Sequence, residues 1–253
     1  MIWPGNARPC WSLEEMMRNL AFVVLLGAVG AAHAVVVPNY TAGTEGDGTF
    51  SLTSTGSTGR TFQLTMAANQ LTGLNGLTLL GICFRLNGAA AAAWPPANVT
   101  YADWDIFLGP GVAPSAMSNT FASNFTATPT QVRNGPLAFT AGSFTAGSSP
   151  NAFGPAISFD SGYLYSGGDL TLEMRFSAQV GSTTQSPFDA VTASGGPANG
   201  WGVDFAGRWT GNAAGTSGGN ANFLVTSFHA VPEPGTLAAL GIGALALVRR
   251  RRR

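Results

Sequence analysis

The stretch 170-LTLEMRF-176 indicates the fold class of this chain. Apolar and polar residues alternate along it, with Leu170, Leu172, Met174 and Phe176 on one face and Thr171, Glu173 and Arg175 on the other. Successive side chains of a β-strand point to opposite faces of the sheet. The alternation therefore predicts a strand whose apolar face lies in a core.

Short apolar runs of this kind recur about every 10–15 residues between residues 35 and 230. Those at 60–66 and 103–108 point Phe62, Leu64, Met66, Trp104, Ile106 and Leu108 inward. The nearly continuous run 77–86 predicts a central strand with Leu80, Ile82, Phe84 and Leu86 on one face. Further strands are predicted at 49–52, 137–139, 156–159, 201–205 and 222–228.

This spacing predicts an all-β fold, an antiparallel β-sandwich of jelly-roll type. Its long loops, at 43–59, 141–154 and 210–220, are rich in Gly, Ser, Thr and Asn. An N-terminal signal helix and a short apolar C-terminal helix are expected to flank it. The predicted organisation is an N-terminal extension plus signal peptide (1–34), an exported β-sandwich (35–230) and a sorting and anchor segment (231–253).

The charge content excludes several classes of protein. Only 9% of the 253 residues are charged, every basic residue is Arg, and the net charge is zero. Nucleic acid is therefore not an expected partner, because its binding needs a basic face. Two His and two Cys argue against a His/Cys zinc site. Residues 35–231 hold five Arg and nine acidic residues, so the exported part has a net charge of −4.

Residues 20–32 form an apolar run that follows Arg18 and ends in the small-residue triplet Ala32-His33-Ala34. This order is typical of a secretory signal peptide, with cleavage predicted after Ala34. A buried core helix is the alternative. Pro and Glu precede the positive charge, so the first 15 or 16 residues resemble an over-extended start, with Met16 or Met17 as the expected first residue.

The C-terminal end has three parts in order. Pro232, Glu233 and Pro234 come first, an apolar run at 236–248 follows, and the chain closes with Arg249, Arg250, Arg251, Arg252 and Arg253. As a helix the run would be about 20 Å long, shorter than the roughly 30 Å apolar layer of a bilayer. The arginines are expected to stay at the cytoplasmic face.

These three parts resemble the PEP-CTERM sorting signal of exported bacterial proteins. The resemblance implies that an exosortase, a membrane processing enzyme, recognises Pro232, Glu233 and Pro234 and cleaves the tail. Residues 236–248 would then be a transient anchor and the five arginines its stop. The implied location is an inner-membrane-anchored precursor and later the cell surface or extracellular space. A permanent membrane anchor is the alternative.

Residues 60–176 also resemble the exported domain of a PEP-CTERM paralogue group of unknown function. The matching segments are DWDIFL at 103–108, VRNGPL at 132–137, PNAFG at 150–154 and YLYSGGDL at 163–170. This resemblance implies a β-sandwich and export, and no activity.

Few residues of the body suggest chemistry. Asp103 and Asp105 share a strand face, which indicates a solvent-exposed face first, weak calcium ligands second and catalysis last. His229 is interpreted as a linker residue. Cys83 is expected to be buried and inert, with a reactive or intermolecular thiol as the alternative. A single His in the exported part makes a Ser-His-Asp triad unexpected, so neither an enzyme nor a cofactor is predicted.

Aromatic residues allow two interpretations. Trp94, Trp104, Trp201, Trp209, Tyr163 and Tyr165 could stack on sugars or, as the favoured interpretation, fill the core. The predicted function is a non-enzymatic secreted surface or matrix protein. The alternative is a carbohydrate-binding module for matrix polysaccharide, with or without calcium. Its other partners would be the exosortase, the general export machinery and, transiently, the membrane.

Overall fold

The computed structural model describes residues 33–51 and 58–232, and strands dominate this part of the chain. In chain order they are β1 His33–Val37, β2 Gly48–Phe50, β3 Arg60–Met66, β4 Leu77–Cys83, β5 Val99–Tyr101, β6 Trp104–Pro110, β7 Thr130–Arg133, β8 Leu137–Phe139, β9 Ile157–Tyr165, β10 Leu170–Phe176, β11 Gln179–Val180, β12 Phe188–Thr192, β13 Phe205–Thr210, β14 Asn222–Leu224 and β15 Thr226–Pro232. Short 3-10 turns connect several of them.

The strand β10, whose alternating sequence predicted the fold class, lies at the centre of the largest sheet. This sheet has the order β13-β3-β10-β6-β7, so β10 is paired on both sides. Its register sets Leu172 opposite Leu64 and Leu108, which stacks apolar residues on one face. The strands predicted at 60–66 and 170–176 are confirmed with these bounds.

The described residues also form three smaller antiparallel sheets, in the orders β1-β15-β4-β9, β11-β5-β8 and β14-β12-β2. The predicted interior position of β4 is confirmed, because β4 lies between β15 and β9. The four antiparallel sheets are consistent with the predicted sandwich.

Aromatic side chains join the sheets into one core. Trp104 stacks on Phe176, with ring centroids 4.2 Å apart, and meets Tyr101 edge-on at 4.7 Å. Phe50 of β2 packs on Phe62 of β3 at 4.8 Å. Such pairs add to the free energy gained from burying their apolar surface. The apolar face predicted for β10 is thus buried against neighbouring sheets.

The prediction for 77–86 is wrong at Leu80. Leu79 is fully buried, whereas Leu80 is 41% exposed. The register against β9 shifts between Leu79 and Gly81, and such an irregularity breaks the alternation of faces. Leu80 therefore does not share the buried face of Ile82.

Two other predicted strands need correction. Residues 202–204 form a turn, Gly200 and Gly202 have φ of 88° and 72°, and β13 begins only at Phe205. Left-handed backbone of this kind suits glycine and cannot continue a strand. The predicted strand 222–228 is divided at Val225 into β14 and β15, which belong to different sheets.

Several predicted segments lie outside the described residues. They are the signal segment before His33, and the tail from Glu233 onward with its apolar run 236–248 and five arginines. Within residues 33–51 and 58–232, no helix is long and apolar enough to cross a membrane.

Candidate functional site

The C-terminal strand connects the fold to the predicted sorting motif. In β15, Phe228 and Ala230 are buried, and β1 pairs along it from His33 opposite Ala230 to Val37 opposite Thr226. Pro232 is the last residue of β15 and is half-buried. The described fold thus ends on the first residue of the motif, while Glu233 and Pro234 lie outside it.

The predicted signal cleavage falls within β1. Ala34 is exposed and paired with His229, and Ala32 lies outside the described residues. Cleavage after Ala34 would leave Val35, Val36 and Val37 paired with β15. The cleavage site itself stays a prediction.

His229 is not a linker residue, because it lies within β15 and contacts Cys83 of β4. The Cys83 Sγ atom and His229 Nε2 are 3.1 Å apart. Cys83 is buried, and this burial raises its pKa to about 11. A buried, protonated thiol is a poor nucleophile. The sequence interpretation missed the pair because 146 residues separate its members.

Asp103 and Asp105 line one shallow cavity, of about 340 Å³, together with Arg175. Asp103 is exposed, and half-buried Asp105 accepts a hydrogen bond from the Gly135 N–H at 3.2 Å. Arg175 lies directly across from Asp105 on β10. In the part of the chain that the structure describes, no group of three or more His, Cys, Asp or Glu side chains could hold a metal ion.

The six aromatic residues proposed as a stacking platform differ in burial. Trp94, Trp104 and Tyr165 are buried in the core, as the favoured interpretation predicted. Trp94 packs edge-on against Phe188. Trp201, Trp209 and Tyr163 are partly buried against the same core. Because three of the six rings are buried, all six together cannot form one exposed surface for stacking on sugars.

The polar face of β10 carries a buried network that the sequence interpretation missed. Glu173 is only 2% exposed, and its Oε2 accepts a hydrogen bond from Gln63 Nε2 at 2.9 Å. Gln63 in turn donates to the Phe121 carbonyl and accepts from Asn124 Nδ2 at 2.6 Å. Burial raises the pKa of Glu173 above its usual range. Residues 111–129 therefore cover the polar face of β10. The alternation of the sequence alone could not show that this face is buried.

A close approach lets this covering segment reach the sheet. A Cβ atom added to Gly111 would lie 2.5 Å from Thr171 Oγ1, so any larger residue would collide with β10. Thr171 also donates its hydroxyl to the Asn124 carbonyl at 2.9 Å. The covering segment is thus fixed to β10 at both positions.

Beside this network lies an open cleft of about 420 Å³. Its lining includes Phe107, Phe125, Pro129, Glu173 and Arg175. The Arg175 side chain is 44% exposed, its Nε donates to Glu173 Oε1 at 2.6 Å, and its guanidinium carbon lies 5.4 Å from the Phe107 ring centre. We call this feature the Arg175 cleft.

A fully buried charge pair lies outside the lining of the cleft. Arg85 and Asp189 are both almost fully buried, with Arg85 Nε donating to Asp189 Oδ2 at 2.8 Å. Arg85 also donates to the carbonyls of Thr41 and Thr44, at 2.8 and 2.6 Å. Burial raises the pKa of Asp189 although Arg85 opposes the effect. The pair joins the 41–44 segment to β12 and is closed to ligands.

The comparison with known families identifies the C-terminal segment. The family model described as the PEP-CTERM protein-sorting motif matches residues 230–253. No curated protein and no solved structure matches the chain.

The chain therefore carries the PEP-CTERM motif, as Pro232, Glu233 and Pro234 with the five arginines predicted. This motif is recognised by exosortase and implies export, a membrane-anchored precursor and sorting toward the cell surface.

Proposed function

We propose that this chain is a non-enzymatic secreted protein that exosortase processes and displays on the cell surface or in the extracellular matrix. The observation that carries the proposal is the PEP-CTERM match at 230–253, which begins within the last strand. The general export machinery would deliver the precursor, and the membrane would hold it only until the tail is cleaved.

The proposal that the protein is not an enzyme is supported by the hydrogen bonding and burial of its potentially reactive side chains. Both carboxylate oxygens of Glu173 already accept hydrogen bonds, from Gln63 and Arg175. The Cys83 thiol is buried with a raised pKa. His229 lies beside this thiol at 3.1 Å, but burial keeps Cys83 from acting as an accessible nucleophile.

The test is expression of the full chain in strains with and without exosortase, followed by intact-mass measurement. We expect the tail to be lost only where exosortase is active. Glu233→Ala should retain the tail, whereas the matched control Pro136→Ala, in an exposed loop, should be processed normally. An intact tail in the exosortase-positive strain would overturn the sorting proposal.

Polysaccharide binding is the second candidate function, and the exposed guanidinium of Arg175 beside Phe107 favours it. The calcium-dependent form rests on Asp103 and Asp105 alone. Arg175 opposes that form, because its positive charge lines the same cavity and repels a cation. Binding to matrix polysaccharide measured with calcium and with a chelator tests both forms; no binding in either condition removes this candidate.

A further inference from the structure

We infer that the Arg175 cleft binds one neutral pyranose unit of a glycan, without calcium. The inference rests on the proposed polysaccharide binding and supplies its site and ligand class. A pyranose ring presents C–H groups on its faces and hydroxyl groups at its edge. A cleft that holds it needs apolar walls and a few placed donors and acceptors.

Arg175 supplies the donors. Its Nε is engaged by Glu173, while among residues 33–51 and 58–232 no hydrogen-bond partner is assigned to its two terminal nitrogens. A guanidinium presents its N–H groups as a rigid planar fork. Such a fork matches two adjacent hydroxyl oxygens of a sugar.

Glu173 lies at the base of the cleft and positions the donors. Its Oε1 accepts a hydrogen bond from Arg175 Nε at 2.6 Å, and this bond fixes the orientation of the guanidinium. Gln63 Nε2 donates to this carboxylate at 2.9 Å, and Asn124 fixes Gln63 by donating to its Oε1 at 2.6 Å. A site fixed in this way loses little conformational entropy when a ligand binds.

Phe107, Phe125 and Pro129 supply the apolar walls. Both rings are half-buried, so each is held by the fold and still has accessible surface. Gly109 lets the wall approach β6 closely, because a Cβ there would lie 3.0 Å from the Phe125 ring and 3.1 Å from Pro129 Cα. The sugar's C–H face would pack on this surface.

The charges around the cleft favour a neutral sugar over an acidic one. Glu173 balances the single positive charge of Arg175, and Asp103 and Asp105 line a second cavity that Arg175 also lines. A uronic acid would therefore bring a fourth carboxylate close to one cation. Repulsion between the carboxylates would oppose binding of the acidic sugar.

The experiment titrates the purified full-length chain with cellohexaose, mannohexaose and an oligogalacturonate of similar length, by calorimetry with calcium and with EDTA. We expect at least one neutral probe to bind more tightly than about 10 mM. The oligogalacturonate should bind at least about tenfold more weakly. EDTA should change nothing.

Two variants locate the site. Arg175→Gln and Phe125→Ala should each weaken binding of the neutral probe about tenfold or more. The matched controls Arg208→Gln, on β13, and Tyr40→Ala, an exposed ring elsewhere, should not. NMR shifts of the unsubstituted protein on titration should centre on residues 125–129, which keeps the test valid if a variant fails to fold.

Failure of both neutral probes, binding unchanged in Arg175→Gln, or stronger binding of the acidic probe would each overturn the inference. Loss of the tail is measured separately by mass. Failure of the glycan inference is therefore distinguishable from failure of exosortase sorting.

Discussion

At the scale of single residues, Cys83 offers a direct test of burial. Its pKa of about 11 leaves roughly one thiol in a thousand ionised at pH 8. We expect the Cys83 peptide to remain unmodified when the native protein is treated with iodoacetamide, and to be alkylated fully in guanidinium. Peptide mass spectrometry measures both.

The control for this prediction is Ser158→Cys, which places a thiol at an exposed position of β9. That thiol should be alkylated in the native protein. Rapid native alkylation of Cys83 would show that the contact between β4 and β15 opens readily.

The buried Arg85–Asp189 pair predicts a large loss of stability when one partner is removed. Arg85→Met should lower the free energy of unfolding by about 3–5 kcal/mol, because it leaves a carboxylate buried without its cation. Combining it with Asp189→Asn should cost less than the sum of the two single changes. Urea denaturation measures each value.

The matched control is Arg208→Met, since Arg208 is only half-buried. Its effect should be within about 1 kcal/mol. An equal loss for Arg85→Met and Arg208→Met would contradict the structural role given to the buried pair.

Glu173 shows what a single sequence could not predict at this scale. Its position on β10 was predictable from alternation with Leu172 and Met174. Its burial was not, because the groups that cover it come from Gln63 and from the segment around Phe121 and Asn124. Local periodicity carries no information about such distant contacts.

At the scale of elements, the irregularity in β4 gives the neighbouring residues Leu79 and Leu80 very different burial. Leu79→Ala should lower the free energy of unfolding by about 2–5 kcal/mol, because it leaves a cavity in the core. Leu80→Ala should change it by about 0.5 kcal/mol or less, because Leu80 is exposed. Chemical denaturation of the two variants measures the difference, and equal losses would contradict the register against β9.

Strands were predicted correctly where apolar and polar residues alternate regularly. The prediction failed where the backbone conformation of particular residues determines the structure. The runs at 60–66 and 170–176 have a clear two-residue period and are strands. The run at 201–205 is as apolar, but the left-handed glycines at 200 and 202 fold it into a turn. The division at Val225 was also hidden, because no Gly or Pro separates β14 from β15 and only their partner strands differ.

At the scale of the whole molecule, two buried carboxyl groups predict the dependence of stability on pH. Burial raises the pKa of both Glu173 and Asp189, so the folded chain holds protons that the unfolded chain releases. Their contribution to stability is complete below the ordinary carboxyl pKa and is lost as pH rises through the raised values. The free energy of unfolding should therefore gain a contribution from these two groups when pH is lowered from about 7 to about 4, near the ordinary carboxyl pKa.

Glu173→Gln removes one of these titrating groups. The rise measured by denaturation at the two pH values should then be smaller than in the unsubstituted protein. An identical rise in both proteins would contradict a raised pKa at Glu173.

The strands β1 and β15, the first and last of the described residues, are neighbours in one sheet, since His33 lies opposite Ala230. Paired antiparallel residues have Cα atoms only about 5 Å apart. A linker of a few residues could therefore join the strands β15 and β1 into a circular backbone, with new ends opened at an exposed turn such as the one around Gly142. The strands could therefore follow one another in a permuted order along the chain and keep the same positions in the sheets. The fold is thus suited to circular permutation.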